Sequence, residues 1–164
     1  MHLPPYDIFP IIEGPIVCLR EIQTKDLPDI LEISYYNALK AASVDEASFM
    51  LERINRDYEA GEAIHWGIAD SHSDKLVGTC GYYRGLDMGY GELGFVLLAQ
   101  HQGKGYMTAA ITLAMQFGLV TIGLKRIWAE TTLDNKLAIA LLKRLNFSQE
   151  ALLEDNGVIF AYQQ

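Results

Sequence analysis

The chain has 164 residues, half of which are hydrophobic, and a formal net charge of −8 at pH 7. This length favours one domain with a sizeable core, so we treat residues 1–164 as a single domain. The negative charge argues against nucleic acid as a partner and favours a cationic one, such as an amine or a basic protein tail.

Hydropathy and cysteine usage limit the compartment. No stretch of the sequence reaches the apolar length that a membrane-spanning helix needs, and Met1–Pro5 lack the basic start and apolar core of a secretory signal. Cys18 and Cys80 lie in apolar strand-like runs without the spacing of metal ligands. We therefore predict a soluble, cytoplasmic protein with two buried free thiols, no metal site and no contact with a membrane.

The first half of the chain predicts one strand, two helices and three further strands. A helix is predicted after the N-cap Thr24, and a second helix through Ala47–Tyr58 that ends at Gly61. Alternating or β-branched runs predict the strands, which are Ile16–Ile22, Ala63–Asp70, Leu76–Arg84 and Gly89–Leu98.

The second half predicts two helices with wide apolar faces and three strands. The helices are predicted over residues 107–118 and 135–145. The strands are Arg126–Thr132, Phe147–Leu153 and Val158–Tyr162, the last two joined by the turn Asp155-Asn156-Gly157.

The order of these elements predicts the fold class. Three consecutive strands with short connections indicate antiparallel pairing, whereas the strand–helix–strand unit at residues 90–132 indicates a right-handed parallel crossover. One mixed α/β sheet of about seven strands, with helices on both faces, satisfies both requirements.

A glycine-punctuated turn between a strand and a helix is the most informative motif. Gly103 and Gly105 precede the predicted helix, whose first main-chain N–H groups are free to bind a phosphate. A Walker-type loop is unsuitable because Lys104 is followed by Gly105 rather than Ser or Thr. A dinucleotide-binding loop would lie in an early βαβ unit, whereas this turn follows antiparallel strands past the middle of the chain. A nucleotide-binding domain is therefore the weaker alternative.

The segment Gln102-Gly103-Lys104-Gly105-Tyr106-Met107 resembles the pyrophosphate loop Gln/Arg-x-x-Gly-x-Gly/Ala of the GNAT superfamily of acetyl-CoA-dependent N-acetyltransferases. The branch it is most similar to is the RimJ/RimL type, which includes ribosomal-protein and polyamine acetyltransferases. The resemblance extends over nearly the whole chain, through the segments Val17–Leu27, Trp66–Ala69, Leu76–Gly81, Arg126–Thr131 and Leu142–Phe147.

The resemblance implies one acetyltransferase domain with a mostly antiparallel twisted sheet whose fourth and fifth strands diverge. Acetyl-CoA is the implied co-substrate, with its pyrophosphate on the main chain of the glycine turn. Its pantetheine arm is implied to insert between the diverging strands like an added strand. The coenzyme-binding residues implied are Phe95, Val96, Leu97, Gln102, Gly103, Lys104, Gly105, Tyr106, Met107, Asn135, Ala138 and Arg144.

Three residues are predicted to be catalytic. The Leu97 amide is implied to stabilise the oxyanion that forms on the thioester. Glu92 and Glu130 flank the predicted divergence, and either can serve as the base that deprotonates an amine. Glu92 is slightly preferred because relatives keep a polar residue there. The competing interpretations are a solvated strand carboxylate for Glu92 and an ion pair with Arg126 or Lys125 for Glu130.

The usual proton donor for the departing thiolate is missing. Leu142 and Ala138 occupy the positions at which relatives carry Tyr and Ser. The leading hypothesis is acetyl transfer by direct attack of a primary amine, on a protein N-terminus or a polyamine-like molecule, in a ternary complex. The alternative is a non-catalytic acyl-CoA-binding or regulatory module.

The acceptor side is less well defined by the sequence. Residues 33–62 are predicted to cover an acceptor site for a cationic amine, in a monomer or a homodimer. His65 is predicted to be a structural histidine and His101 a surface residue. The tyrosines are numerous enough to line the acceptor pocket or simply to fill the core; those considered are Tyr35, Tyr36, Tyr82, Tyr83 and Tyr90.

Overall fold

The computed structural model describes residues 1–163. Ten strands are present: β1 Ile12–Glu13, β2 Val17–Arg20, β3 Tyr35–Tyr36, β4 Leu39–Lys40, β5 Ile64–Asp70, β6 Leu76–Tyr82, β7 Tyr90–Leu97, β8 Arg126–Thr132, β9 Phe147–Leu152 and β10 Gly157–Tyr162. The α-helices are α1 Leu27–Ile30, α2 Val44–Glu59, α3 Tyr106–Gln116 and α4 Lys136–Arg144.

Eight of the strands form one sheet in the order β1-β2-β5-β6-β7-β8-β10-β9. The pair β7–β8 is parallel, and the other neighbouring pairs of this sheet are antiparallel. The predicted mixed, mostly antiparallel sheet is therefore confirmed. The strand beyond the seven predicted is the short edge strand β1, which pairs with β2.

Helices cover both faces of the sheet, as the sequence predicts. Helix α3 packs on β2 and β6 over the larger core, which contains the fully buried Trp66, Tyr82 and Phe160. On the opposite face, α1 and α2 pack around a second apolar cluster that includes Leu27 and Leu51. Each helix therefore buries the apolar stripe that its sequence predicts.

The segment after β2 differs from the prediction. Instead of one helix capped by Thr24, a 3-10 turn over Thr24–Asp26 leads into the single turn α1 and a second 3-10 turn over Leu31–Ile33. The Asp26 carboxylate accepts a hydrogen bond from the main-chain N–H of Gln23 at 2.8 Å. The capping side chain therefore belongs to Asp26, inside the first turn. The preference of Thr24 for the N-cap position does not reveal this.

Two further elements were not predicted. The hairpin β3–β4 turns through Asn37 and Ala38, both with positive φ, and alanine is not a residue that usually marks such a turn. Helix α3 continues past its predicted end at Gly118 as a π-helix over Phe117–Ile122.

Cys80 is buried as expected, but Cys18 is only half-buried.

The strands β7 and β8 separate from each other after three paired positions. Pairing ends at Glu92–Trp128, although β7 continues to Leu97 and β8 to Thr132. On their outer sides both strands stay paired, β7 with β6 and β8 with β10. The predicted divergence between the fourth and fifth strands is thus confirmed, and it leaves a wedge-shaped gap in the sheet.

Candidate active site

Main-chain groups of β7 face the gap between β7 and β8. The N–H of Leu98 donates to the Val77 carbonyl at 2.9 Å, and the Glu92 carbonyl accepts from the Tyr83 N–H at 3.0 Å, so even-numbered residues bond to β6. Because main-chain direction alternates along a strand, the N–H and C=O groups of Phe95 and Leu97 point into the gap. Strand β7 therefore offers two donors and two acceptors to anything that lies there.

The gap opens into a cleft of about 420 Å³ between β7, α3 and α4. Its lining contains every coenzyme-binding residue predicted from the sequence except Lys104, which is exposed on the turn. Three lining residues were not predicted, namely Thr108, Leu137 and Leu141. Leu137 is 68% exposed, so it lies outside the buried stripe of its helix, and its place in the cleft lining is visible only in the structure.

The N-terminus of α3 is uncapped and faces this cleft. Gly105 is the N-cap residue, so no side chain accepts a hydrogen bond from the first turn. Gly103 and Gly105 have φ of +76° and +83°, and a Cβ on either would meet no atom within 4 Å. Main-chain N–H groups and the positive end of the helix dipole are therefore open to an anion, and this geometry fits a pyrophosphate.

A side-chain contact anchors the first turn of α3. The Tyr106 hydroxyl donates to Oδ2 of Asp70 at 2.7 Å, while Oδ1 of Asp70 accepts from the N–H groups of His72 and Ser73. The Tyr106 hydroxyl and these further donors hold the pKa of Asp70 well below its usual range. The glycine turn is thereby attached to the β5–β6 turn, a link that nothing in the sequence pattern indicated.

The other wall of the cleft is formed by α4. Asn135 caps this helix, since its Oδ1 accepts from the Ala138 N–H at 3.1 Å. Its Nδ2 group has no hydrogen-bond partner within residues 1–163 and remains available to a ligand. At the other end of α4, Nη1 of Arg144 donates to Oγ1 of Thr108 at 3.2 Å, which places a guanidinium beside the first turn of α3.

Glu92 is engaged in an ion pair. Both of its carboxylate oxygens accept hydrogen bonds from Arg84, from Nε to Oε2 and from Nη2 to Oε1, the second at 2.7 Å. The Glu92 side chain is 12% exposed, whereas that of Arg84 is 72% exposed. These hydrogen bonds from Arg84, together with its nearness to Glu130, raise the pKa of the guanidinium above its usual value. Glu92 is therefore not the solvated carboxylate of the competing interpretation.

Glu130 is exposed, and its partner in the competing interpretation is taken. Arg126 forms an ion pair with Glu150 instead, and the described part of the chain shows no ion pair for Glu130. Since Trp128 is opposite Glu92 in the parallel register, Glu130 lies across the gap from Gly94. Its carboxylate is thus free and next to the part of β7 whose main chain is unpaired.

The three predicted catalytic residues do not lie at one point. Leu97 is five residues beyond Glu92 on the same strand, which separates their Cα atoms by about 17 Å at ~3.4 Å per residue. A glutamate side chain cannot span that distance. Among the residues whose main chain faces the gap, Phe95 lies three residues beyond the last paired position, directly after Gly94, which is opposite Glu130 in the register. Along the strand, Glu130 is therefore nearer in register to Phe95 than Glu92 is to Leu97.

His65 and Tyr83 form a contact on the face that α1 and α2 cover. The Tyr83 hydroxyl lies 3.2 Å from Nδ1 of His65, and its ring lies over Gly94, where a Cβ would meet the ring at 2.3 Å. Burial lowers the pKa of His65 from 6.5 to about 4, so the imidazole is neutral at neutral pH. This state suits the predicted structural role.

The prediction for His101 needs correction, and the two alternatives for Tyr82 are decided in favour of the core. His101 is half-buried beside the Tyr106 ring, at 5.8 Å between centroids, and is not a surface residue. Tyr82 is wholly buried and its hydroxyl donates to the Ala114 carbonyl at 2.9 Å, so it belongs to the core rather than to an acceptor pocket. Tyr35 and Tyr90 are exposed, at 45% and 40%.

The described residues offer neither a metal-binding cluster nor a membrane-spanning helix. No cluster of three or more His, Cys, Asp or Glu side chains within residues 1–163 has the arrangement of a metal site. The same residues contain no helix with the length and apolar character required to cross a bilayer.

The sequence matches the acetyltransferase (GNAT) domain family over residues 17–148. It is 27% identical to an uncharacterized N-acetyltransferase, YoaA, of Bacillus subtilis, over 89% of this chain and 87% of that protein. It is also 29% identical to a ribosomal protein uS5-alanine N-acetyltransferase of Escherichia coli, over 64% of this chain and 55% of that protein.

A solved structure supports the same fold. RimL, a ribosomal L7/L12 alpha-N-protein acetyltransferase in complex with coenzyme A, superposes with a TM-score of 0.80 at 16% identity and covers 93% of this chain and 97% of its own. The domain match, the named relatives and the divergent sheet agree, and the chain belongs to the GNAT family of N-acetyltransferases.

Proposed function

We propose that this N-acetyltransferase moves an acetyl group from acetyl-CoA to a primary amine by direct attack in a ternary complex. The observation that carries the proposal is the cleft beside the β7–β8 gap, because the coenzyme-binding residues that the family resemblance implies line it together, all except Lys104. It combines open main-chain N–H groups at one end with unpaired strand edges at the other. Those are the groups that a diphosphate joined to an amide-rich arm requires.

Different residues of the cleft would bind different parts of the coenzyme. The N–H groups of the turn at Gly103 and Gly105 would bind the pyrophosphate, with Arg144 supplying a positive charge beside it. The main chain of Phe95 and Leu97 would pair with the pantetheine amides, and Nδ2 of Asn135 would donate to the arm from the other wall. The main chain therefore provides most of the recognition.

The reacting groups would meet near Phe95. Acetyl-CoA supplies the activated acetyl group, and the Phe95 N–H is placed to stabilise negative charge that develops on its carbonyl oxygen. Glu130, exposed and across the gap from Gly94, the residue before Phe95, would take the proton of the attacking amine, directly or through one water. Glu92 is the second candidate for the base, and it can act only when Arg84 releases its carboxylate. We assign Leu97 to the coenzyme arm.

The departing thiolate has no protein donor on α4. Leu142 is wholly buried in the core, and Ala138 lines the cleft without a hydroxyl. Two lining residues carry hydroxyl groups, and both lie in the first turn of α3 rather than on β7 beside Phe95. The Tyr106 hydroxyl donates to Asp70, and Thr108 Oγ1 accepts from Arg144. We infer that water protonates the thiolate. A non-catalytic module would show the opposite behaviour, namely coenzyme binding without turnover.

The acceptor is proposed to be the amine of a protein N-terminus or of a small molecule. The reaction is proposed to take place in the cytoplasm. The protonated amine is attracted by the chain's negative charge. The similarity to a ribosomal protein uS5-alanine N-acetyltransferase supports an α-amino group as the acceptor.

A matched pair of glycine substitutions tests the coenzyme site. Gly105 and Gly123 have almost the same φ, +83° and +82°, so Gly→Ala imposes similar backbone strain at both. At Gly105 the new methyl group would lie in the space reserved for the pyrophosphate. We expect Gly105→Ala to weaken coenzyme A binding in calorimetry at least about tenfold, whereas Gly123→Ala should not change it. Equal affinities in the two variants, or no heat with the unmodified protein, would refute the assignment.

Turnover is measured separately. Release of free coenzyme A from acetyl-CoA should depend on an added primary amine and should stop with the N-methylated tertiary amine of the same skeleton. Tight coenzyme binding with no amine-dependent release across a broad amine panel would favour the non-catalytic module.

A further inference from the structure

We propose that Arg84 recognises a carboxylate on the acceptor, so that the preferred substrates are amines with an acidic group near the reacting nitrogen. Such acceptors are peptides with Asp or Glu close to the N-terminus, which narrows the cationic acceptor expected from the net charge to one whose positive charge is the reacting amine itself. The inference rests on the proposed acetyl transfer and names the substrate class of that same site.

Arg84 has the exposure and the free donors that such recognition needs. Its side chain is 72% exposed, and its two bonds to Glu92 use Nε and Nη2. Nη1 has no partner among residues 1–163. A guanidinium binds a carboxylate through two parallel N–H groups, and neutral carbonyl groups cannot form that charge-assisted pair. The exposed edge of Arg84 is therefore ready to accept a second carboxylate.

The location of Arg84 sets the distance between the acid and the amine. The partner of Arg84, Glu92, lies at the last paired position of β7, and Phe95 is three residues further on. Three strand residues span about 10 Å. The acceptor's carboxylate would bind Arg84 while its amine attacks the acetyl carbonyl held at Phe95. Two or three residues of extended peptide would span that distance, and fewer residues suffice if the acidic side chain is long.

The same guanidinium disfavours polyamines. An amine with a second positive charge about 10 Å or less from the reacting nitrogen would place that charge against Arg84. Such like-charge contacts reduce binding, and the effect is stronger where the site excludes water. Arg84 therefore selects for acid and against base at one position of the acceptor.

Binding of the acceptor carboxylate also affects Glu92. Because the Arg84 guanidinium is shared, a second carboxylate weakens its two hydrogen bonds to Glu92. An acidic acceptor would thereby release the second candidate base. Recognition of the acceptor and the availability of Glu92 as a base are thus linked through the Arg84 side chain.

Three amidated peptides that differ at one residue test the proposal. Ser-Ala-Asp, Ser-Ala-Asn and Ser-Ala-Lys share the reacting serine amine, and Asp and Asn have the same shape. We expect kcat/KM, measured as coenzyme A release, to be about tenfold higher for the Asp peptide than for the Asn peptide. The Lys peptide should be the poorest. In Arg84→Gln the Asp/Asn ratio should fall to about 1, and Arg84→Lys should give an intermediate ratio.

The outcomes are separable. An Asp/Asn ratio near 1 in the unmodified protein, or a ratio that Arg84→Gln leaves unchanged, would overturn the role of Arg84. Turnover of no peptide at all would instead refute the proposed acetyl transfer to amines. Arg84→Gln leaves the Glu92 carboxylate without its partner, so the double variant Arg84→Gln, Glu92→Gln is measured in parallel. If Arg84→Gln does not fold, the residual Asp/Asn ratio of the double variant decides in the same way.

Discussion

The two sides of strand β7 present different kinds of polar group. On the cleft side the groups are main-chain N–H and C=O, unpaired at Phe95 and Leu97 and continued by the uncapped first turn of α3. On the side covered by α1 and α2 the polar groups are side chains that pair with one another, as Arg84 does with Glu92 and Tyr83 with His65. One strand thus separates a main-chain site from a side-chain site.

This difference indicates how each site can change. A ligand that binds main-chain groups depends on backbone conformation, so side chains around the cleft can vary while the coenzyme site persists. Recognition by paired side chains depends on residue identity, and one substitution on that side can alter which acceptor is used. Caps elsewhere show that the open end of α3 is not general to this fold, since Ser43 caps α2 and Asn135 caps α4.

The largest expected effect concerns the base. Glu130→Gln should lower kcat by about 100-fold, because the amine loses the free carboxylate next to Phe95. The KM for acetyl-CoA should stay within about twofold, since this change leaves the cleft main chain intact. Steady-state kinetics against acetyl-CoA would measure both constants. Glu150→Gln is the control, because Glu150 pairs with Arg126 on β8. A large loss in Glu92→Gln with none in Glu130→Gln would transfer the role to Glu92.

The next effect is a pH dependence of stability from His65. The unfolded chain protonates this imidazole near pH 6.5, whereas the folded chain does so only near pH 4. Between these values the unfolded state binds more protons, so the free energy of unfolding should fall as pH decreases from about 6.5 to 4. We expect a loss of roughly 2 kcal/mol, less than the full shift implies because His65 as a residue is only half-buried.

Urea denaturation at several pH values would measure this loss. His65→Gln should remove most of the slope between pH 6.5 and 4, whereas His72→Gln, on an exposed turn, should keep it. An unchanged slope in His65→Gln would show that another group carries the dependence.

The smallest effect concerns the link between Tyr106 and Asp70. Tyr106→Phe removes one hydrogen bond and should raise the KM for acetyl-CoA about three- to fivefold with little change in kcat, because the first turn of α3 loses its anchor. In an Asp70→Asn background the same substitution should add little. Fully additive effects of the two changes would contradict the link. Tyr162→Phe, on β10, serves as the control for loss of a tyrosine hydroxyl.

Local patterns fixed much of the fold in advance. Apolar periodicity located α2, α3 and α4 to within a few residues, and alternation located the main strands. The segment around α1 was the exception, because there a tertiary contact overrides local preference. Arg20 binds both Asp26 and Asp74, so the segment after β2 is tied to the β5–β6 turn, which is distant in sequence.

By itself, the sequence determined the order of the elements and the glycine turn before α3, and through the family resemblance it gave most of the residues that line the cleft. The elements and the turn depend on nearby residues and on backbone preferences, which a motif records directly. Only the tertiary structure decided that Arg84 is paired with Glu92, that Glu130 lies across the gap from Gly94 with no ion-pair partner in residues 1–163, and that Tyr106 is bonded to Asp70. Each of these relations depends on strand register and on side-chain contacts between segments that are not adjacent in the chain, and no local pattern encodes either.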